Sequence, residues 1–169
     1  MRGTLSEILE SALKLKVEEV IIISISIRTV KVQDSHDLSE LFQDFIKRDS
    51  NILSMQSNIE IILKNPHYHV AVACDEDKVI GTAMGILCYD LVGECNPFMV
   101  VENVVVSPVY QGKGIGKSLM KSIEEFGLMN GASYVILVSG SKRTDSHKFY
   151  ESLGYTADQR GFKKRLKKQ

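Results

Sequence analysis

A strand, a glycine-rich loop and a helix follow one another directly in this sequence, and this order limits the fold more than any other feature. Residues 99–106 form an apolar, β-branched run that ends at Ser107-Pro108, as is typical of a buried strand. After the loop, apolar residues recur at helical spacing and predict one buried stripe of Ile115, Leu119, Ile123 and Phe126. Asn130-Gly131 predicts the end of this helix, because both residues tolerate left-handed backbone geometry.

The loop between this strand and this helix contains glycines at alternate positions, Gly112, Gly114 and Gly116. Because glycine has no Cβ atom, a ligand can approach the N–H groups closely, and the helix adds its positive N-terminal dipole. Such a loop suits a phosphate or pyrophosphate group, and a glycine-rich turn without a ligand is the alternative. The patterns Gly-x-x-x-x-Gly-Lys-Ser/Thr and Gly-x-Gly-x-x-Gly of nucleotide-binding loops do not match this stretch.

Two motifs, in this order, resemble those of the GNAT family of N-acetyltransferases. Gln111-x-x-Gly114-x-Gly116 is similar to the family's acyl-CoA signature, Gln/Arg-x-x-Gly-x-Gly/Ala. The second motif begins at Phe149-Tyr150-Glu151 and ends at Gly154-Tyr155, and it resembles Phe-Tyr-Glu-x-x-Gly-Phe/Tyr at the end of a family helix. The resemblance covers roughly residues 25–166. It implies transfer of an acetyl group from acetyl-CoA to a primary amine of a small molecule, peptide or protein, by direct attack in a ternary complex.

Periodicity and turn residues predict the other elements. In order, they are a helix capped by Asp34 or Ser35, a helix that ends before Asn65-Pro66, a hairpin of residues 68–74 and 78–91, a strand at 133–139, a helix capped by Thr144 or Asp145, and a last strand at 155–166 whose Phe162 and Leu166 face inward. This order predicts a single α/β (α+β) domain with a largely antiparallel, locally parallel sheet.

The family resemblance implies the same architecture, a mixed sheet flanked by helices, and adds that its two central strands splay apart. It implies that residues 25–169 form the acyltransferase domain. Residues 1–24 are then an N-terminal extension, predicted to hold a helix at about 6–16 and the start of the first strand. This extension packs on the domain or forms a loosely held tail, and a subunit contact in a homodimer is the alternative.

The resemblance also implies where acetyl-CoA binds. Backbone N–H groups of residues 111–116 would hold the pyrophosphate, and Val104 and Val106 would hydrogen-bond the pantetheine arm. The predicted coenzyme-binding residues are Val104, Val106, Gln111, Gly112, Lys113, Gly114, Ile115, Gly116 and Lys117.

Acyl transfer to an amine requires a base, because a primary amine of pKa near ~10 is mostly protonated at neutral pH. Glu102 is the candidate base, since it interrupts an apolar strand two residues before Val104; a structural carboxylate paired with a basic side chain is the alternative. The oxyanion needs a fixed donor, such as a strand N–H at a bulge.

Tyr150 matches the tyrosine with which the family protonates the leaving thiolate, and core packing is the alternative. Arg143 stands where many members have asparagine, so the coenzyme contact of that asparagine is not implied here.

Composition argues against several other classes of function. Lys+Arg and Asp+Glu both number 21, and this balance argues against nucleic acid or a membrane surface as a partner. Three cysteines without a Cys-x-x-Cys pair, and an N-terminus unlike a signal peptide, predict a cytoplasmic protein. His67-x-His69 lacks a third ligand at suitable spacing, so no metal is expected. A catalytically silent acyl-CoA sensor and an interaction module on the same fold are the alternative functions.

Overall fold

The computed structural model describes residues 25–166, so the predicted helix at 6–16 and the rest of the extension at 1–24 lie outside the described residues. Two short 3-10 turns lie at Val32–Asp34 and Pro108–Tyr110. The other helices and strands within that range are β1 (Ile25–Thr29), α1 (Ser35–Ile46), α2 (Ile52–Leu63), β2 (Tyr68–Asp75), β3 (Lys78–Cys88), β4 (Phe98–Val106), α3 (Ile115–Met129), β5 (Val135–Leu137) and α4 (Thr144–Ser152).

The described strands form one sheet in the order β1-β2-β3-β4-β5. The first four are antiparallel to their neighbours, and β5 joins β4 in parallel. A parallel pair needs a crossover connection, which α3 provides between β4 and β5. The predicted mixed, mostly antiparallel sheet flanked by helices is therefore confirmed.

Each face of the sheet has its own apolar core. On one face, the stripe predicted for α3 packs with Ala71, Ile80 and Met99, and residues of α4 close the cluster. On the other face, Leu38 of α1 and Ile59 of α2 pack against alternate residues of the β2–β3 hairpin. A strand that is covered on both faces has few polar positions, which explains the long apolar runs of β2, β3 and β4.

The glycines of β3 lie where neighbouring side chains and backbone approach the strand closely. A Cβ atom on Gly85 would lie 2.5 Å from Met99 Cε and 2.8 Å from Ile123 Cγ2. A Cβ atom on Gly81 would lie 3.1 Å from the carbonyl oxygen of Val105. Any larger residue at these positions would therefore push β3 away from α3 or β4.

The predicted helix caps are correct in position for α1 only. Asp34 is the N-cap residue of α1, but its carboxylate accepts hydrogen bonds from the Arg28 guanidinium (2.7 and 2.8 Å) and from Lys31 N–H (2.7 Å) instead of capping. Burial alone would raise the pKa of Asp34, but these hydrogen bonds hold it below its usual value. The cap predicted at Thr144 or Asp145 is wrong, because α4 begins after Arg143 without a side-chain cap.

The predicted last strand at 155–166 is also wrong. The chain after Gly154 has no regular secondary structure up to Leu166. Phe162 and Leu166, which were expected to face inward, are 90% and 85% exposed. The physical reason is that apolar residues are few and unevenly spaced here and a basic run follows Phe162, so the segment has no apolar face of period two to bury.

Candidate active site

A gap opens in the sheet where β4 continues beyond its parallel neighbour. The two strands pair only from Met99 to Val101 of β4 with Val135–Leu137, whereas β4 runs on to Val106. This is the predicted splaying of the central strands. A cavity of about 730 Å³ lies at the gap, between β4, the glycine-rich loop, α4 and one side of α1. Backbone groups on this edge of β4 face the cavity and not another described strand.

The glycine-rich loop forms one wall of the cavity with its backbone. Gly112 and Gly114 have φ angles of 76° and 81°, a left-handed conformation that favours glycine, and Gly114 is the N-cap residue of α3. A Cβ atom on either residue would meet no atom within 4 Å, so the space above the loop is open to a ligand. An open cradle of N–H groups at a helix N-terminus fits a pyrophosphate group.

Contacts with neighbouring elements hold the loop in this conformation. Gln111 Nε2 donates to the carbonyl oxygen of Val106 at 3.0 Å. The hydroxyl of Tyr110 donates to Asp75 Oδ2 at 2.6 Å and so joins the loop to the turn of the β2–β3 hairpin. Lys113 Nζ lies 4.9 Å from the centroid of the Tyr110 ring. The loop is therefore pre-formed, which reduces the entropy lost when a ligand binds.

Of the residues predicted to bind coenzyme, all except Lys113 line the cavity. These are Val104, Val106, Gln111, Gly112, Gly114, Ile115, Gly116 and Lys117. Lys113 instead extends over Tyr110. The loop also fits closely against α4, since a Cβ atom on Gly116 would lie 3.1 Å from Phe149 Cζ. The two sequence motifs therefore meet in space although they lie far apart in the chain.

A β-bulge changes the direction of the side chains on β4 beside the gap. Thr82 pairs with Val105 and Met84 with Glu102, so Asn103 and Val104 together oppose one residue of β3. Asn103 has a φ of 55°, and the extra residue of a bulge is left unpaired in the ladder. The side chains of Met99, Val101, Val104 and Val106 all face the α3 side, so the bulge shifts the alternation after Val101. Strand alternation then directs Glu102 to the opposite face of β4 from Val101.

Tyr150 lines the cavity and is half-buried. Its ring packs against Phe149 and Tyr155, at centroid distances of 5.1 and 5.9 Å. Burial raises the pKa of Tyr150, the charge of Arg143 opposes this and the charge of Glu102 adds to it. Within residues 25–166 its hydroxyl has no hydrogen-bond partner and is therefore available as a donor.

Glu102 is exposed on β4 and does not line the cavity itself. Among the described residues, no basic side chain lies within 4.0 Å of its carboxylate. That observation disfavours the alternative of a structural ion pair. Glu102 directly follows the last residue of β4 that pairs with β5, so it lies at the gap in the sheet, on the side of β4 that faces away from α3.

α1 contributes part of the cavity wall, but the sequence did not single out which of its residues do so. Leu41, Asp44 and Phe45 line the cavity, and Phe45 is 38% exposed although it lies on the same helical stripe as Leu38 and Leu41. The guanidinium carbon of Arg143 lies 4.3 Å from the centroid of the Phe45 ring. The only signal in the sequence was that Phe45 lies at the end of the amphipathic stripe, where burial often declines.

The two histidines of His67-x-His69 have separate partners. His69 lies 3.0 Å from Ser122 Oγ and stacks on Phe126, and burial lowers its pKa. His67 contacts the ring of Tyr89. Within residues 25–166, there is no group of three or more His, Cys, Asp or Glu side chains arranged to hold a metal ion.

Two further observations concern the cysteines and the helices of the described part of the chain. The cysteines Cys74, Cys88 and Cys95 are free thiols, of which only Cys74 is buried. None of the described helices is long and apolar enough to span a lipid bilayer.

Comparisons with known proteins agree with this geometry. An aminoalkylphosphonate N-acetyltransferase of Salmonella typhimurium is 25% identical over 140 residues, or 83% of this chain and 90% of the relative. A glucosamine 6-phosphate N-acetyltransferase of Trypanosoma brucei brucei is 43% identical over 60 residues, or 36% of this chain and 39% of that protein. The crystal structure of a Trypanosoma brucei acetyltransferase superposes with a TM-score of 0.73 at 25% identity, and the match covers 85% of this chain and 100% of the other.

The family described as "Acetyltransferase (GNAT) family" matches residues 35–155, which include both sequence motifs, the gap in the sheet and α4. The predicted family, fold and acetyl-CoA co-substrate are confirmed by this match and by the relatives. The chain therefore belongs to the GNAT family of acetyltransferases and is an acetyl-CoA-dependent N-acetyltransferase.

Proposed function

We propose that this enzyme acetylates the primary amine of a small molecule, and that the amine attacks the thioester directly in a ternary complex at the gap between β4 and β5. The observation that carries the proposal is the gap itself. It supports the proposal because the glycine-rich loop, whose open backbone suits a pyrophosphate group, and Tyr150 line the same cavity. Relatives that acetylate aminoalkylphosphonates and glucosamine 6-phosphate support a small acceptor.

Binding of acetyl-CoA is assigned to the main chain of the loop and of β4. The N–H groups of residues 111–116 hold the pyrophosphate, and the free edge of β4 at Val104 and Val106 hydrogen-bonds the pantetheine arm. Gln111 takes the carbonyl oxygen of Val106 with its side chain, so the contribution of Val106 comes from its N–H. Lys117, at the start of α3, adds positive charge near the phosphates.

The chemistry is assigned to three groups around the gap. Glu102 accepts a proton from the ammonium form of the acceptor, directly or through a water, so that the neutral amine can attack the thioester carbon. We assign the stabilisation of the oxyanion to a backbone N–H at the Asn103–Val104 bulge, where the register of the ladder shifts. When the carbon–sulfur bond breaks, Tyr150 gives its phenolic proton to the thiolate. The attacking nitrogen loses its second proton as the intermediate collapses, and this proton passes through solvent to the Tyr150 phenolate, while the proton taken by Glu102 passes to solvent.

The proposal also covers the cellular compartment, the partners and the oligomeric state of the enzyme. Zero formal net charge and the odd number of free cysteines support a cytoplasmic protein without a nucleic-acid or membrane partner. A homodimer is a further proposal, which light scattering of the full chain tests directly.

A thiol-release assay tests the proposed function. The full chain is titrated with acetyl-CoA by calorimetry and then supplied with aminoalkylphosphonates, amino sugars, amino acids, aminoglycosides, polyamines and peptides. We expect release of coenzyme A with at least one small amine, and initial-rate lines that intersect when both substrates are varied. Binding of acetyl-CoA without any turnover would favour a silent sensor, and no binding at all would favour an interaction module.

A further inference from the structure

Arg143 occupies a position at which a cation is locally unfavourable. It is the N-cap residue of α4, where Ser, Thr, Asp or Asn is preferred and where the helix dipole repels positive charge. Thr144 and Asp145 follow it directly but do not cap the helix. A residue that breaks a local rule in this way is often retained for function.

The guanidinium of Arg143 is held by packing. Its central carbon lies 4.3 Å from the centroid of the Phe45 ring on α1, so the aromatic face covers one side of the cation. Both residues line the cavity at the gap. The N–H donors at the edge of the guanidinium are thereby oriented before any ligand arrives, which lowers the entropic cost of binding.

Within residues 25–166, no carboxylate lies within 4.0 Å of this guanidinium. Asp145 also lines the cavity, but its side chain is 99% exposed and lies 3.9 Å from Lys148. Asp44 lines the same cavity at the border with a second hollow between α1 and β3. The bidentate face of Arg143 is therefore without an ionic partner in the described part of the chain.

Arg143 also lies on the stripe of α4 that contains the proposed acid. Arg143, Ser146 and Tyr150 are spaced i, i+3 and i+7, and all three line the cavity. Seven residues of helix separate the first and last by about 10 Å along the axis. The charge of Arg143 acts on the Tyr150 phenol and opposes the effect of burial on its pKa. Arg143 and the proposed acid therefore line the same cavity from one stripe of α4.

We propose that Arg143 is the specificity-determining residue for the acceptor, and that it binds an acidic group, such as a phosphate, phosphonate or carboxylate, carried by the amine that is acetylated. This inference rests on the proposed function and narrows its substrate class to small acidic amines. A planar guanidinium matches two oxygens of such a group with two parallel hydrogen bonds. The separation of about 10 Å along α4 between Arg143 and Tyr150 suits an acceptor whose acidic group and amine belong to one small molecule.

Matched pairs of acceptors test this assignment. 2-Aminoethylphosphonate is compared with ethanolamine, and glucosamine 6-phosphate with glucosamine, on the wild type, Arg143→Gln and Arg143→Lys. Lys148→Gln is the control, because Lys148 is a cation on the same helix that lies outside the cavity and is mostly exposed. We expect Arg143→Gln to lower kcat/KM for the acidic acceptors by about tenfold to hundredfold and for the neutral ones by less than about twofold. Arg143→Lys keeps the positive charge but cannot form two parallel hydrogen bonds, so its kcat/KM for the acidic acceptors should lie between the values of the wild type and of Arg143→Gln.

Calorimetry adds a reading that does not depend on turnover. With coenzyme A saturating, the wild type should bind glucosamine 6-phosphate more tightly than glucosamine, and Arg143→Gln should lose that difference while its affinity for acetyl-CoA is unchanged. This result would support the assignment even if no amine were acetylated, in which case the proposed function alone would fail. Equal losses on both members of each pair, a wild type without preference for acidic amines, or weaker acetyl-CoA binding in Arg143→Gln would each overturn it.

Discussion

Two neighbouring tyrosines allow the packing and the catalytic roles of a phenol to be separated in one protein. The rings of Tyr150 and Tyr155 are 5.9 Å apart, and burial raises the pKa of both. The hydroxyl of Tyr155 donates to Glu124 Oε1 at 2.9 Å, whereas that of Tyr150 has no partner within residues 25–166. Changing each tyrosine to phenylalanine removes one oxygen from nearly the same environment. The two variants should therefore fail in opposite ways.

The structure sets the expected magnitudes. Tyr155→Phe loses a hydrogen bond to a carboxylate, which should cost about 1–2 kcal/mol because the half-buried Glu124 regains water. For a domain of this size, that loss lowers the melting temperature by about 2–8 °C, at about 2–4 °C per kcal/mol. Tyr150→Phe loses no hydrogen bond, so its free energy of unfolding should equal that of the wild type or exceed it slightly. A lost general acid should instead lower turnover by about 10²-fold or more.

Three measurements on each variant decide the matter: melting temperature, acetyl-CoA affinity by calorimetry, and turnover with the best amine from the acceptor screen. Because the thiolate exists only late in the reaction, Tyr150→Phe should lower kcat with little change in affinity for acetyl-CoA. Tyr155→Phe should keep near wild-type turnover below its melting temperature. Wild-type turnover in Tyr150→Phe would refute the acid role, and loss of stability in proportion to activity would assign Tyr150 to packing.

Three further predictions concern the base, the loop and the buried ion pair. Glu102→Gln should lower turnover by about 10²-fold and recover partly at high pH, and near-normal rates at neutral pH would make Glu102 dispensable. Gly114→Val should abolish acetyl-CoA binding in calorimetry with the far-UV circular dichroism retained, and unchanged affinity would contradict the loop assignment. Arg28→Ala should lower the free energy of unfolding in urea by about 2–4 kcal/mol at neutral pH, because it leaves the Asp34 carboxylate buried without its cation. Since the pKa of Asp34 is lowered in the folded state, this pair stabilises above about pH 3.9 and its contribution is lost as the pH falls below that value, so wild type and variant should converge in acid.

The motifs predicted the local geometry of the loop and of the helix start well, because each depends on a short stretch of backbone. Gln111-x-x-Gly114-x-Gly116 needs left-handed glycines directly before a helix, and the observed φ angles at Gly112 and Gly114 meet that need. The stripe of α3 and the hairpin around residues 75–77 were predictable for the same reason, since periodicity and turn residues act locally.

The predictions that failed concern segments whose local signals were weak or were outcompeted. The last strand had too few apolar residues to be buried, and its absence leaves Phe162 exposed. Asp34 is a residue type that often caps helices, but the Arg28 guanidinium binds its carboxylate more strongly than the free N–H groups of α1 do. Propensity predicts what a residue can do locally, and a stronger distant partner decides what it does.

By itself, the sequence determined the strand–loop–helix unit, the family and its acetyl-CoA co-substrate, because these follow from residues close together in the chain. Only the tertiary structure decided how the wall opposite the loop is built. The bulge at Asn103 turns Glu102 away from the face of Val104, and the packing of α1 against the sheet brings Phe45 under Arg143. Such contacts depend on how elements far apart in the chain pack against each other. A local sequence pattern contains no information about the distances between those elements.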